Sequence, residues 1–254
     1  MTSSSHQHSG YLSVCEKAAI DDFVFNNFKR DPYFNLILEH VSYQQGLGYI
    51  KEFFNKDVDY SIFADNDKFG NPIKHDFTIG SFSPTTLRYI KVAYDILNLF
   101  QGQNIKTIVE IGCGYGGQFT VLDKLVPLDK YYLIDLPEVT KLINTYLSKL
   151  RIVSSFETVN ALNNEKIKQI PPTDLVISNY AFSECIHPVR KLYLETIIKN
   201  SKCGYMTINY LDPTERAELY STIQSYGKET LIIPEIPLTG SGNEILIWKS
   251  SELV

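Results

Sequence analysis

Apolar positions in the first part of the chain recur at spacings of three and four. Residues 11–30, YLSVCEKAAIDDFVFNNFKR, and the run FNLILEHVSYQQGLGYIKEFF therefore predict amphipathic helices, separated by Asp31-Pro32. Between residues 55 and 82 the periodicity gives way to Asp, Asn, Gly and Pro, as in DNDKFGNPIKHDFTIG, which predicts a long loop. Helical spacing returns in SFSPTTLRYIKVAYDILNLF, where Ser83 stands as N-cap and Pro84 at the first helical position.

From residue 107 the period switches back and forth. Strands are predicted at 107–111, 131–135, 152–156, 174–178 and 203–209, with helices at about 116–126, 137–150, 187–200 and 213–226. The last helix opens with Asp212-Pro213-Thr214-Glu215, a capping box. Two final β-like runs, ETLIIPEI and NEILIWKS, flank the turn-prone PLTGSG and predict a hairpin. Such alternation predicts an α/β fold with a doubly wound parallel sheet.

Composition narrows the setting. At 254 residues, 44% hydrophobic and 21% charged, the chain suits a globular protein with a large core, and no apolar run reaches a membrane span. The polar start MTSSSHQHSG lacks the features of a secretory signal and is expected to be a disordered lead over residues 1–10, with His6 and His8 solvated rather than metal-binding. Cys15, Cys113, Cys185 and Cys203 show no C-x-x-C spacing, which argues against zinc and disulfides and for a reduced, cytoplasmic setting. A net charge of −5 opposes a nucleic-acid partner.

The candidate chemistry lies in TIVEIGCGYGG, where a strand runs into a glycine turn. Gly112, Gly114 and Gly117 satisfy G-x-G-x-x-G, so either a nicotinamide dinucleotide or S-adenosylmethionine (SAM) could meet the turn. Glu110, in the strand before it, favours SAM, whose α-ammonium would offset a buried carboxylate. Asp135, about twenty residues past the turn, suits a ribose from either ligand and could equally cap the next helix. The closing hairpin leaves no residues for a dehydrogenase's substrate domain.

VEIGCGYGG, LIDLPEV and DLVISNYAFSE resemble class I SAM-dependent methyltransferases, and specifically the sugar O-methyltransferase family. The resemblance covers roughly residues 65–250 and includes NDKFGNP, SPTTLRY and NEILIW. It implies a seven-stranded Rossmann-like sheet with an antiparallel C-terminal hairpin, SAM as methyl donor and a sugar hydroxyl as acceptor. Residues 11–100 would supply helices and a covering loop, and 101–254 the SAM-binding core. Gly112, Gly114 and Gly116 would approach the methionine end, Glu110 the amino group, and Asp135 with Leu136 the ribose. Glu157 would lie near the adenine, while Ser83, Arg88 and Asn179 complete the expected cofactor contacts. Arg88 could equally pair with an acid.

The acceptor, a nucleotide-activated or glycan-linked sugar, is expected between residues 60–82 and the loops after the fourth and fifth strands. Methyl transfer to an alcohol requires removal of a proton. Glu184, with its acidity shifted by desolvation beside Tyr180 and Phe182, is the first candidate base and His187 the second, with Asp212, His75 or no base at all as the remaining alternatives. No carboxylate pair stands where a divalent cation would be held, although Asp174, Glu184 and Asp212 lie in or beside the fourth and fifth strands, so no metal is expected. A homo-oligomer is compatible with the sequence. The competing readings are an NAD(P)-dependent oxidoreductase and a non-catalytic SAM-binding partner subunit.

Overall fold

The computed structural model describes residues 5–250. A small antiparallel hairpin pairs β1 (His75–Phe77) with β2 (Gly80–Phe82). The main sheet comprises β3 (Thr107–Ile111), β4 (Lys130–Asp135), β5 (Phe156–Asn160), β6 (Thr173–Asn179), β7 (Ser201–Ile208), β8 (Lys228–Pro234) and β9 (Glu244–Ser250). Its order is β5-β4-β3-β6-β7-β9-β8. The first five strands are mutually parallel, and β9 is inserted antiparallel to both β7 and β8. The expected seven-stranded sheet with a closing hairpin is therefore present.

The central strands read as almost continuous apolar runs because both faces are covered. Ile108, Tyr131, Leu133, Leu175 and Tyr205 point into a core shared with the helices Pro84–Leu99, Gly117–Leu125 and Pro137–Ser148 and with the N-terminal helices. Val109, Ile111, Val176, Met206 and Trp248 fill the opposite core, with residues of His187–Tyr193 and Pro213–Ser225. The two cores fix the glycine turn at one edge of the sheet. Both expected caps form: Ser83 Oγ accepts from Thr86 N at 3.1 Å, and Asp212 Oδ1 accepts from Glu215 N at 2.9 Å.

Five expectations need correction. The run FNLILEHVSYQQGLGYIKEFF forms no single helix: a π-helical turn, Asn35–Glu39, precedes a separate helix, Tyr43–Phe53, capped by Ser42. Residues 11–30 form no single helix: Ser5–Ala18 is followed by a break, and Asp21 caps the new turn Asp22–Phe25. Ser5–Ala18 also begins inside the stretch 1–10 expected as a disordered lead; residues 1–4 and the side chains of His6 and His8 lie outside what is described. The helix expected over 187–200 passes into a π-helical turn at Leu194–Ile198.

The supposed loop after residue 55 holds a 3-10 helix, Tyr60–Asp67, and the β1-β2 hairpin. It is ordered by buried polar groups. Asp67 accepts from the Ser83 backbone and hydroxyl at 2.6 and 2.7 Å, while Asn66 bonds Thr86 at 2.9 Å and Thr120 at 2.7 Å. Lys29, wholly buried, donates to the Asn66 carbonyl at 2.7 Å and lies 4.0 Å from the Tyr115 ring centroid. Tyr60–Asp67 thus ties the N-terminal helices to the glycine turn. Among the described residues, no helix is long and apolar enough to cross a membrane.

Candidate functional site

At the carboxyl end of β3 the chain turns through Gly112, Gly114 and Gly116, with φ of 76°, 56° and 88°. These left-handed conformations suit glycine, which has no Cβ to clash with its own backbone. Gly112 N donates to Ile134 O at 2.8 Å, which ties the turn to β4. Asp135 ends β4 beside it. One carboxylate oxygen accepts from Gly114 N at 3.0 Å and the other from Leu136 N at 2.8 Å. Burial nevertheless pushes the Asp135 carboxyl up to about 6, outweighing the backbone donors. Gly112, Gly114, Gly116, Asp135 and Leu136 thus lie together at the carboxyl ends of β3 and β4.

Glu110 stands in the apolar row of β3, 2% exposed, and accepts from the Tyr131 hydroxyl at 2.8 Å. Burial raises its carboxyl to about 8, more than the Tyr131 hydrogen bond can offset. Among the described residues no cation pairs with it. Burial thus favours its neutral form, and the residue is held close to the turn: the Cys113 thiol that follows donates to the Glu110 carbonyl at 3.3 Å.

Several candidates are placed elsewhere. The Ser83 hydroxyl is taken up by its capping role and by Asp67. Glu157 is not at the carboxyl end of its strand: β5 begins at Phe156, and the residue beside Asp135 is Asn160. The Glu157 carboxylate pairs with Lys130 at 3.4 Å and Lys166 at 2.9 Å, and Lys166 is the main cause of its lowered pKa. Glu184 and His187 are both exposed. Phe182 is buried in the opposite core, so the desolvation expected for Glu184 is missing; its carboxylate instead accepts from Asn209 Nδ2 at 3.0 Å.

Arg88 and Asn179 meet in a small cavity at the same edge of the sheet, with Tyr49, Tyr180 and Glu235. Arg88 is 7% exposed and, among the described residues, makes no ion pair, which removes the expectation that an acid holds it. Tyr180, directly after β6, has φ of 72°, a strained conformation for a bulky residue. Its hydroxyl donates to Glu235, and burial pushes that phenol up to about 12. Sequence reasoning missed Tyr49 and Glu235, which are 130 or more residues from Tyr180 or in the closing hairpin and carry no local motif. Tyr180 lay inside SNYAFSE, and only that position pointed to it.

The carboxylates weighed as metal ligands do not converge. Asp174, at the opposite end of β6 from Glu184, accepts from Thr107 N at 2.8 Å and pairs with Lys202 at 2.7 Å, while Asp212 caps a helix. Among the described residues no group of three or more His, Cys, Asp or Glu could hold a metal ion.

No family model matches the chain, and no curated protein matches it in sequence. Among solved structures it is similar to the methyltransferase domain of bacterial CtHen1, with a TM-score of 0.50 and 12% identity over 65% of this chain and 97% of that one. It is similar also to an rRNA methylase from Streptococcus thermophilus, with a TM-score of 0.48 and 14% identity over 64% of this chain and 96% of that one. A third likeness is to precorrin-6y C5,15-methyltransferase from Geobacter metallireducens, with a TM-score of 0.46 and 13% identity over 63% and 89% of the two chains. At 12% identity what the chain shares with the first of these is the fold, a Rossmann-like sheet.

Proposed function

We propose that the protein is a SAM-dependent methyltransferase that methylates a sugar hydroxyl. One observation carries the reading: a left-handed glycine turn organised by a strand-end acid, at the carboxyl edge of a sheet whose last strand is inserted antiparallel. Open α/β sheets take ligands at that edge.

The donor set suits SAM, which when bound supplies a methyl group already activated on a sulfonium. Glu110, buried without a cation, would receive the α-ammonium and ionise. Gly112 and Gly114 would let the backbone approach the methionine end, and Asp135 would hold the ribose. Leu38 Cδ1 lies 2.8 Å from where a Gly114 Cβ would stand, so the turn Asn35–Glu39 covers the glycines and must move aside for a nucleoside to reach them. Glu184 and His187, the candidate bases, are exposed, and an acceptor that covered them would desolvate them. The sugar rests on the resemblance of the motifs and on a net charge of −5, unfavourable for a polyanionic acceptor.

Asp135→Ala is expected to weaken S-adenosylhomocysteine binding at least about tenfold, or 1.4 kcal/mol. Calorimetric titration giving equal affinities would remove Asp135 from the site. For the acceptor, incubation with labelled SAM and a panel of nucleotide sugars should transfer label to a sugar; transfer only to RNA, protein, lipid or catechol would overturn the sugar assignment.

A further inference from the structure

Two of the three glycines in the turn face fixed parts of the fold. A Cβ on Gly112 would overlap that of Ala181, and one on Gly116 would stand 3.6 Å from Ile143 Cγ2 and Leu147 Cδ2 of the helix Pro137–Ser148. Gly114 differs. Its side-chain face, the one a glycine leaves open for close approach to the backbone, is covered by Leu38, whose Cδ1 and Cδ2 lie 2.8 and 3.2 Å from where a Cβ would be. Gly114 is also the residue whose N–H reaches Asp135, so the cover lies over the centre of the cofactor constellation.

Leu38 belongs to the π-helical turn Asn35–Glu39, which is anchored on both sides. Before it, Phe34 is wholly buried, with its ring centroid 4.8 Å from that of Phe28 and 6.3 Å from that of Tyr115. After it, Ser42 and Gln45 form the capping box that starts Tyr43–Phe53. Between these anchors the turn is held lightly. The Leu38 carbonyl accepts from Thr85 Oγ1 and Arg88 Nη2, both at 3.3 Å, the long end of the range for such bonds. Asn35 Nδ2 donates to the Glu39 carbonyl at 3.2 Å, within the turn itself.

Glu39 opposes this arrangement. Its Oε1 is among the buried atoms that have no hydrogen-bond partner among the described residues, and so is Arg88 Nε beneath the turn. Burial raises the Glu39 carboxyl despite the charges of Lys29 and Arg88. Leu38 packing on Gly114 therefore favours the turn as it stands, while the unpaired polar atoms favour lifting it, and the opposing terms are of the same order.

We infer that Asn35–Glu39 is a gate on the cofactor site, with Leu38 as the plug that must leave Gly114 before a nucleoside can reach the turn. Only the open gate binds, so the apparent affinity is the intrinsic affinity reduced by the fraction of molecules that are open. Leu38 then controls access without being a contact of the bound cofactor. The inference rests on the methyltransferase reading.

The test is calorimetry of the full chain with S-adenosylhomocysteine, comparing wild type with Leu38→Ala. Removing the plug should strengthen binding at least about threefold, the opposite of what loss of a cofactor contact would do. In the wild type, amide hydrogen exchange over residues 36–40 should accelerate at saturating S-adenosylhomocysteine while that over 112–116 slows. If Leu38→Ala fails to fold, the exchange measurement decides. Unchanged or weaker binding by Leu38→Ala, or slower exchange over 36–40 in the complex, would overturn the inference. Failure of the wild-type protein to bind S-adenosylhomocysteine would instead strike at the methyltransferase reading.

Discussion

Gly112→Ala is expected to cost at least about 3 kcal/mol of folding stability and to abolish S-adenosylhomocysteine binding. Two terms add. At φ 76° any side chain is strained, at about 1–2 kcal/mol. The new Cβ would also overlap that of Ala181, whose position is set by the end of β6 and by Tyr180, itself already strained. Relief would require moving the backbone that joins the turn to the cavity wall. Gly102 provides the control, because its φ is 84° but nothing lies within 4 Å of its would-be Cβ. Gly102→Ala should show the strain term alone. Urea denaturation of both variants measures the difference, and equal losses would mean that the turn and residue 181 are not packed as described.

Glu110→Gln is expected to stabilise the protein progressively as pH rises. The unfolded chain releases this proton near 4.5, whereas the folded protein keeps it until about 8. The stability contributed by the raised pKa is therefore fully present below 4.5 and is lost as pH rises towards 8. Over the three units from pH 5 to pH 8 the wild type loses roughly 4 kcal/mol through this group alone. Glutamine keeps the shape and an acceptor for the Tyr131 hydroxyl but does not titrate. The gap in melting temperature between variant and wild type should widen by roughly 8–16 °C between these pH values. Parallel curves would show that Glu110 is ionised or solvated in the folded state. The same variant should bind S-adenosylhomocysteine more weakly, because an amide cannot take on the charge that an α-ammonium calls for.

The parallel core was legible because its strands are buried on both faces and its helices carry strong caps. TIVEI, YYLID and the capping residues Ser83 and Asp212 needed only local information. β5 was misplaced by four residues for a physical reason: it is an edge strand and its sequence FETVN is only weakly apolar, whereas the preceding Ile152-Val153 looks like a strand. Val153 is 80% exposed, in a connection held by Asp123. That error carried Glu157 to the wrong end of the strand.

The polar network of Lys29, Asn66 and Asp67 was illegible, since its partners are 16 to 80 residues away and its polar side chains resemble those of a loop. Exposure of Glu184 was unreadable for a related reason. Whether Phe182 shields it or turns into the opposite core depends on the strained turn at Tyr180, which no spacing in SNYAFSE reveals. The glycine turn and Asp135 could be found because strand, turn and acid follow one another within a single β-α-β unit. The cavity of Tyr49, Arg88, Asn179 and Glu235 could not, because it is assembled from four distant segments.

The central claim is that the turn at Gly112–Gly116 holds SAM rather than a nicotinamide dinucleotide. Calorimetric titration of the full chain with S-adenosylhomocysteine and, separately, with NADH tests it most directly. The account predicts saturable binding of S-adenosylhomocysteine with a Kd on the order of micromolar, about −8 kcal/mol, and no heat of binding from NADH. Tight NADH binding with no response to S-adenosylhomocysteine would contradict it.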